Sequence, residues 1–391
     1  MWTPLYRHKS VAIQQLLREW PPGYGGVERV AHELASVWGG SVFSLDVQRK
    51  AALNDDPLPV TYPRRRLPST KPLGRLQLPL PSKTLWDLLR STQPLHGHLP
   101  SPGVALVLLL ARVLRPRRQV TAHWHCFLEP RPGFMGNLFA LYQWAALRLL
   151  PHLTAVVTTS PCLARELHRF VCRSDHLLVL PCSLSKEQEE AGLALAPPVA
   201  RDGIPLRVLF IGRLDSYKRL DWLIRALAQL TSPWRLAVVG DGPKRKDFEQ
   251  LAHRLFLQTS PVTFHGRLSE TSKLQQLAAA DVLVLPSDRS NEAFGIVQLE
   301  AMAAGRPSLA FNHPRSGMGW VGQLPGLPWL QSPDALAEVL QRLADHPLLR
   351  YQLSVQARER YLRLFARSVW TQQIERLGDL AAAGNVGTVT E

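Results

Sequence analysis

Apolar residues occur along this chain in short runs set between longer mixed segments, and the two spacings predict strands alternating with helices. In the first half an apolar stretch at 11–17 leads into the loop PPGYGG, and a helical repeat follows at 27–38. Further apolar runs at 41–45, 120–123, 155–159 and 177–180 have the length and composition of strands buried on both faces of a parallel sheet. The segment 57–99, rich in Pro and Arg, breaks this rhythm and predicts an irregular insertion with one short helix. Between 185 and 205 the composition turns to Glu, Ala, Pro and Gly without a strand, as in an interdomain linker.

The second half then starts afresh. Strands are predicted at 206–211, 235–239, 262–264, 282–285 and 307–311, with helices at 220–229, 244–256, 271–279 and 296–303 between them. Three more helical patterns follow at 333–344, 347–365 and 369–382. The reading is α/β, with two doubly wound units. The first spans 1–185, a linker 186–204, the second 205–366; a helix at 367–384 returns to the first unit, and 385–391 is a loose tail. Open α/β sheets bind ligands beyond the carboxyl ends of their strands, so a cleft is expected where the two sets of ends meet.

Composition narrows the class. At 391 residues the chain holds more than one domain, and 46% apolar with 20% charged residues is ordinary globular usage. The net charge of +15, weighted to the N-terminal half, calls for an acidic partner such as phosphate, nucleic acid or anionic lipid. Cys126, Cys162, Cys172 and Cys182 have neither zinc-site spacing nor the density of a disulfide framework, which fits a reducing cytoplasm. The first twenty residues do not read as a secretory leader, and the longest apolar runs, such as 104–110, are far shorter than a membrane span.

Two segments carry candidate chemistry. In VLFIGRLDSYKRLDWL, Gly212, Arg213 and Lys218 fall just past a strand, where two cations suit a diphosphate; read alone, they could equally be solvated loop charges. In DVLVLPSDRSNEAFGIVQLEAMAAGRPSLAF, Glu292 lies in the loop after a strand and Glu300 on the following helix, so the two could grip separate hydroxyl sets of one extended ligand. Gly295 allows backbone N–H groups close to a phosphate. Helix capping, a surface ion pair, or the acid and base of a glycosidase are the competing readings.

Taken together, GRLDSYK, VVGDGP, FHGRLS and EAFGIVQLEAMAAGRP in the second half, and PPGYGGVERVAHELA and HWH in the first, resemble the retaining glycosyltransferases of family 4. The resemblance covers nearly the whole chain and implies a GT-B fold of two Rossmann-like domains. It implies a nucleotide-diphosphate sugar as donor, with Glu292 holding the sugar hydroxyls, Phe294, Gly295 and Ile296 meeting sugar and phosphate, and Glu300 holding the ribose diol. Arg213 and Lys218 would neutralise the leaving diphosphate, with Asp241, Gly242 and Arg267 near the nucleotide. Gly25 and Gly26 would close over the phosphates. His125, after a first-half strand, would contact the donor sugar near the reaction centre, whereas His123 is expected to be internal packing.

The sequence departs from the family at two places. Arg219 stands where the family usually has Gly, adding positive charge near the phosphate loop, and PCSLS at 181–185 replaces the usual Asn-Gly turn. An Asp-x-Asp motif does not occur, so metal independence is expected, with cationic side chains and the helix dipole stabilising the departing diphosphate. The implied activity is transfer of a hexose, with retention, to a glycan or lipid-linked acceptor in cell-surface polysaccharide or lipopolysaccharide synthesis; the segments SNEAFGIVQLEAM and SGMGWV look closest to such enzymes, some using GDP-mannose. The Arg64–Arg66 and 115–118 clusters, with apolar neighbours at 106–110 and 134–150, suggest a cytoplasmic enzyme docked peripherally on anionic lipid; a solvated basic face is the alternative. A nucleotide-sugar epimerase of the same architecture, or a non-catalytic basic protein binding membrane or nucleic acid, are the other function classes; the intact Glu292, Glu300, Arg213 and Lys218 set speaks against the latter.

Overall fold

The computed structural model describes residues 12–20, 26–47, 60–73, 76–129, 132–171, 176–198, 203–256, 261–324 and 332–383. Gly25 and Cys172 lie outside them. The chain forms two compact units, Met1–Pro181 with Trp370–Glu391, and Cys182–Val369.

The first unit is built on β1 (Gln14–Glu19), β2 (Val42–Val47), β3 (Arg64–Leu67), β4 (Leu95–Leu99), β5 (Val120–Trp124), β6 (Ala155–Thr158) and β7 (Leu177–Val179), all parallel in the order β3-β2-β1-β4-β5-β6-β7. The helices α1 (Gly26–Trp38), α2 (Lys83–Arg90), α3 (Pro102–Leu114), α4 (Phe134–Leu149) and α5 (Pro161–Leu167) connect and flank them. The segment 57–99 is therefore not an irregular insertion: besides the short helix α2 it supplies two strands of the sheet. Both were hidden by composition. β3 is Arg-Arg-Arg-Leu on the sheet's edge, with only Leu67 fully buried. β4 is Leu-His-Gly-His-Leu, buried at every position, and its polar side chains are hydrogen-bonded rather than apolar.

Helix α3 shows why the stretch after β4 is helical. Pro102 sits in its first turn after Ser101, and Val104, Val107, Leu108 and Ala111 form a buried stripe at helical spacing. Its opposite face is apolar too. Leu106, Leu109, Val113 and Leu114 are exposed on α3, as are Phe134, Leu141 and Trp144 on the neighbouring α4, with exposures up to 80% at Phe134. Exposed Arg115 and Arg117 follow α3, and Arg148 stacks on Trp144 at 5.5 Å. Arg118 does not belong to that surface. Its guanidinium is buried and donates to Leu88 O, Gln93 O and Gln14 Oε1, each at 2.8 Å, and burial, then Arg115, pulls its pKa down to about 10. The 115–118 cluster is thus split between surface and core. Arg64 and Arg66 lie over the Trp20 ring at 4.8 and 4.7 Å.

The second unit begins with α6 (Lys186–Leu193), closed by a capping box in which Ser185 and Gln188 satisfy each other's backbone N–H. The composition of 186–204 gave no sign of this helix, whose amphipathicity is weak because it is anchored by polar bonds: Glu189 accepts from Tyr361 Oη at 3.0 Å and from the Arg367 N–H at 2.8 Å. A five-stranded parallel sheet follows, in the order β10-β9-β8-β11-β12, from β8 (Leu206–Ile211), β9 (Trp234–Val239), β10 (Val262–Gly266), β11 (Val282–Leu285) and β12 (Ser308–Ala310). Helices α7 (Leu220–Leu227), α8 (Arg245–Phe256), α9 (Glu270–Ala279) and α10 (Val297–Ala303) alternate with the strands. The short α11 (Met318–Val321), then α12 (Pro333–Asp345), α13 (Pro347–Leu364) and α14 (Arg367–Ala383) complete the described residues. Leu209, Leu283, Leu277 and Ala301 form one of its core clusters.

At the amino end of this sheet, buried Asp281 receives the Arg207 backbone N–H and guanidinium at 2.8–3.3 Å and the buried Arg350 guanidinium at 3.4 Å. A charge taken out of water needs such partners. Helix α14 starts in the second unit and continues in the first, where the Trp38 indole N–H donates to Ile374 O at 3.3 Å and Trp370, Ile374 and Leu377 are buried.

Candidate functional site

In the second sheet β8 connects to β9 on one side and β11 lies on the other, so the strand order reverses between β8 and β11. A reversal leaves the loops at the carboxyl ends diverging, and a ligand can enter between them. The sequence candidates of this unit lie in or just beyond these loops: Gly212, Arg213 and Lys218 after β8, Asp241 and Gly242 after β9, Arg267 after β10, and Glu292 with Phe294–Ile296 after β11.

The loops are locked at their bases. Leu214 N–H donates to Asp241 O at 3.0 Å, Lys244 N–H to Leu214 O at 3.0 Å, and Gly240 N–H to Gly266 O at 2.7 Å. A Cβ at Gly240 would overlap the Gly212 carbonyl oxygen, and φ there is +130°, so the GDG turn requires glycine at that position. Gly295 has φ +75°, and a Cβ there would run into Leu285. Buried Gln298 fastens the same loop, donating to Phe294 O at 2.9 Å and Met318 O at 3.1 Å.

Lys218 ends a single 3-10 turn, Ser216–Lys218, capped by Asp215. Its ammonium is nearly buried and paired with the Glu292 carboxylate, itself only 15% exposed. Burial works to lower the Lys218 pKa, but Glu292, Tyr217 and Asp215 together outweigh it and hold the ammonium above its ordinary value. Ser316 Oγ donates to the Glu292 carbonyl and Gly317 N–H to Ala293 O at 2.7 Å, which ties the Glu292 backbone to the loop before α11. Arg213 points outward, 61% exposed, with Asp215 at 3.7 Å; Arg267 and Asp241 are exposed, and Asp241 caps the Gly242 N–H at 2.8 Å.

Glu300, on α10, is buried and pairs with Lys273 of α9 at 2.8 Å. Lys273 also meets Glu270 at 2.8 Å, and these carboxylates outweigh the lowering effect of burial and raise its pKa. Sequence reading missed Lys273, whose only signal was its place one turn after the Ser269 cap. Ser316 and Gln298 were missed too, since their bonds reach residues 10 to 24 positions away.

Arg219 has φ +47°, the left-handed conformation that glycine adopts freely. Its guanidinium is held by Asp221 at 2.8 Å and Asp288 at 2.9 Å and lies 3.8 Å from the Trp222 ring centroid. The charge expected near the phosphate loop is thus neutralised by two carboxylates.

In the first unit Gly26 opens α1, and His125 follows β5, buried, with Nε2 at 2.9 Å from His98 Nδ1. Burial first, and His96 second, push the His125 pKa down to about 3. His123 is fully buried and stacks on His125 with centroids 4.1 Å apart.

Residues 24–188 match the family model described as Glycosyltransferase Family 4, and 205–346 the model described as Glycosyl transferases group 1. Alpha-D-kanosaminyltransferase of Streptomyces kanamyceticus is 27% identical over 67% of this chain and 70% of its own length. The lipopolysaccharide core biosynthesis glycosyltransferase LpsD of Rhizobium meliloti is 33% identical over 48% of this chain, which spans about half (55%) of that protein. The crystal structure of Anabaena HepE in complex with UDP superposes with a TM-score of 0.70 and 18% identity, covering 93% of this chain and 98% of that one, a likeness of GT-B fold.

Proposed function

From the premise that this chain belongs to the family 4, group 1 glycosyltransferases, we propose that it moves a hexose from a nucleotide-diphosphate sugar to a glycan or lipid-linked acceptor in cell-surface polysaccharide or lipopolysaccharide synthesis, with anomeric configuration retained. The observation that carries the reading is the Lys218–Glu292 pair at the strand-order reversal of the second sheet. The two groups have the opposite charges that a diphosphate and a sugar's hydroxyls require, on loops whose bases are locked. Lys218 and Arg213 bind the diphosphate, Glu292 with the Phe294–Ile296 backbone orients the sugar, and Glu300, released from Lys273 or sharing it, holds the ribose. Asp241, Gly242 and Arg267 border the nucleotide. In the first unit the reading keeps Gly25 and Gly26 for the phosphates and His125 for the sugar.

In the transfer step the bond from the anomeric carbon to the diphosphate oxygen breaks, and the acceptor oxygen bonds to the same face of that carbon. The acceptor proton passes to a leaving phosphate oxygen, and a nucleoside diphosphate departs. Cationic side chains stabilise the leaving group without a divalent ion. UDP is the first base to try, because a HepE structure contains it; GDP is the second. For location, the exposed apolar faces of α3 and α4 beside Arg115, Arg117 and Arg148 support peripheral docking on an anionic membrane, since acidic residues are absent from both helices.

The test is a thermal-shift screen of UDP, GDP and their sugars, followed by product analysis with the stabilising donor and an acceptor extract. Stabilisation by one nucleoside diphosphate and a transferred hexose of unchanged anomeric configuration are expected. Lack of stabilisation by any nucleoside diphosphate overturns the reading.

A further inference from the structure

Four histidines lie on one face of the first sheet, and the function proposed above uses only His125. His96 and His98 alternate along β4 and so point to the same side; His123 is the registered neighbour of His98 on β5, and His125 comes two positions later. All four are at most 6% exposed.

Their hydrogen bonds are compatible with one set of tautomers that leaves lone pairs on neighbouring rings. Thr121 Oγ1 lies 2.8 Å from His96 Nδ1, and in the tautomer that a metal at Nε2 requires it accepts from His96 Nδ1–H. The Nε2 of His96 is then a lone pair, buried and without a partner among the described residues. His98 Nε2 lies 2.9 Å from Gln15 Oε1, a carbonyl oxygen that can only accept, so Nδ1 of His98 carries the second lone pair. Among the described residues neither ring nitrogen of His123 has a partner, nor does Gln15 Nε2. Each such orphan costs about 1–3 kcal/mol, and here four of these atoms belong to neighbouring side chains on one sheet face.

We propose that His96 Nε2, His98 Nδ1 and one ring nitrogen of His123 hold a single imidazole-preferring divalent transition ion, of the zinc or cobalt kind. One potential ligand atom from each of the three residues can be chosen so that all lie within 4.8 Å of one another. Metal–nitrogen bonds of about 2.0–2.1 Å in a tetrahedron need nitrogens roughly 3.3 Å apart, so binding requires the His123 ring, now 16° from parallel with His98 and 7° from parallel with His125, to turn out of its stack. Thr121 and Gln15 already play the part of outer partners, each binding the far nitrogen of a ligand ring and fixing its tautomer. His98 Nδ1 now accepts from His125 Nε2–H at 2.9 Å, so the ion takes the place of that hydrogen bond and a water completes the fourth position. An all-imidazole set does not suit magnesium, so this ion is separate from any that could bridge a diphosphate in the second unit.

The test uses the full chain without an affinity tag, produced with zinc or cobalt in the medium and then dialysed. About one equivalent of metal by mass spectrometry, and the visible absorption of tetrahedral cobalt, are expected. His96→Gln and His123→Asn should each lose the metal, and Thr121→Val, which keeps every ligand and adds little volume, should weaken retention against a chelating dye by about 10–100-fold. A folded wild-type chain that retains no zinc or cobalt overturns the proposal, as does unchanged retention in both histidine variants. Nucleoside diphosphate binding, for which Arg213 and Lys218 of the second unit supply the cations, is scored alongside, so its failure in metal-loaded wild type would count against the transferase reading and leave this one standing.

Discussion

Lys218 and Glu292 pair across the point where the second sheet changes direction, one on the loop after β8 and the other on the loop after β11. Before donor arrives, each is the other's counter-ion. A diphosphate and a sugar would divide them, the anion taking the ammonium and the hydroxyls the carboxylate. Glu292→Ala should therefore lower kcat by at least about 100-fold, while Lys218→Met should weaken nucleoside diphosphate binding. Each single change also strands a largely buried charge at a cost of about 3 kcal/mol, and the double variant should recover part of that loss in melting experiments. Near-normal turnover of Glu292→Ala would remove it from the machinery.

Asp281 is a structural counterpart. It binds two guanidiniums at the amino end of the sheet, opposite the candidate site. Asp281→Asn should destabilise the fold by about 3 kcal/mol through the uncompensated Arg350, yet leave nucleotide affinity unchanged at temperatures where the chain is folded. Denaturant titration with a parallel binding isotherm checks both halves.

Arg219 sets a backbone cost against side-chain gains. The left-handed conformation costs a non-glycine residue roughly 1–2 kcal/mol, while its two ion pairs and the Trp222 stack each return about 0.5–1 kcal/mol. Arg219→Gly should be close to neutral, because both terms vanish. Arg219→Ala keeps the strain and loses the partners, so it should cost about 1–2 kcal/mol more than the glycine variant. Equal melting temperatures would refute this balance.

In metal-free protein the buried histidines give the first unit an acid limit. Their folded pKa values lie below the ordinary 6.5, to about 3 at His96 and His125, so between those values the unfolded chain binds protons that the folded chain does not. Stability is complete above pH 6.5 and falls as pH drops from 6.5 towards 3, by about 1.4 kcal/mol per pH unit for each group that titrates only when unfolded. His96→Gln should flatten that slope in metal-free protein. Melting curves from pH 7 to 4 read it directly.

On the membrane side, Leu141→Ser and Trp144→Ser remove exposed apolar contacts without touching the core. Each should lower partitioning onto anionic vesicles by about tenfold, and the effect should be absent for neutral vesicles at moderate salt. Wild-type protein that stays in the supernatant with anionic vesicles would rule out the docking.

Apolar patterning made the second unit legible almost element by element, because its strands are continuous runs such as Val282–Leu285, buried on both faces. The same rule failed at β4, where burial is achieved by histidines bonded to Thr121 and Gln15, and at β3, where an edge position tolerates three arginines. Site positions on loops after strands could be read from local order alone. Lys273, Ser316 and Gln298 could not, since the folded sheet brings Glu300, the Glu292 carbonyl and the Met318 carbonyl to them.

The bond from Trp38 to Ile374 joins residues 336 positions apart in the chain. A ribosome adding about 5–20 residues per second leaves the N-terminal unit waiting on the order of tens of seconds for the helix that covers Trp38. The second unit, whose strands and helices are contiguous in the chain, can mature during that interval. Synthesis order and maturation order are thus inverted: what is translated first is sealed last.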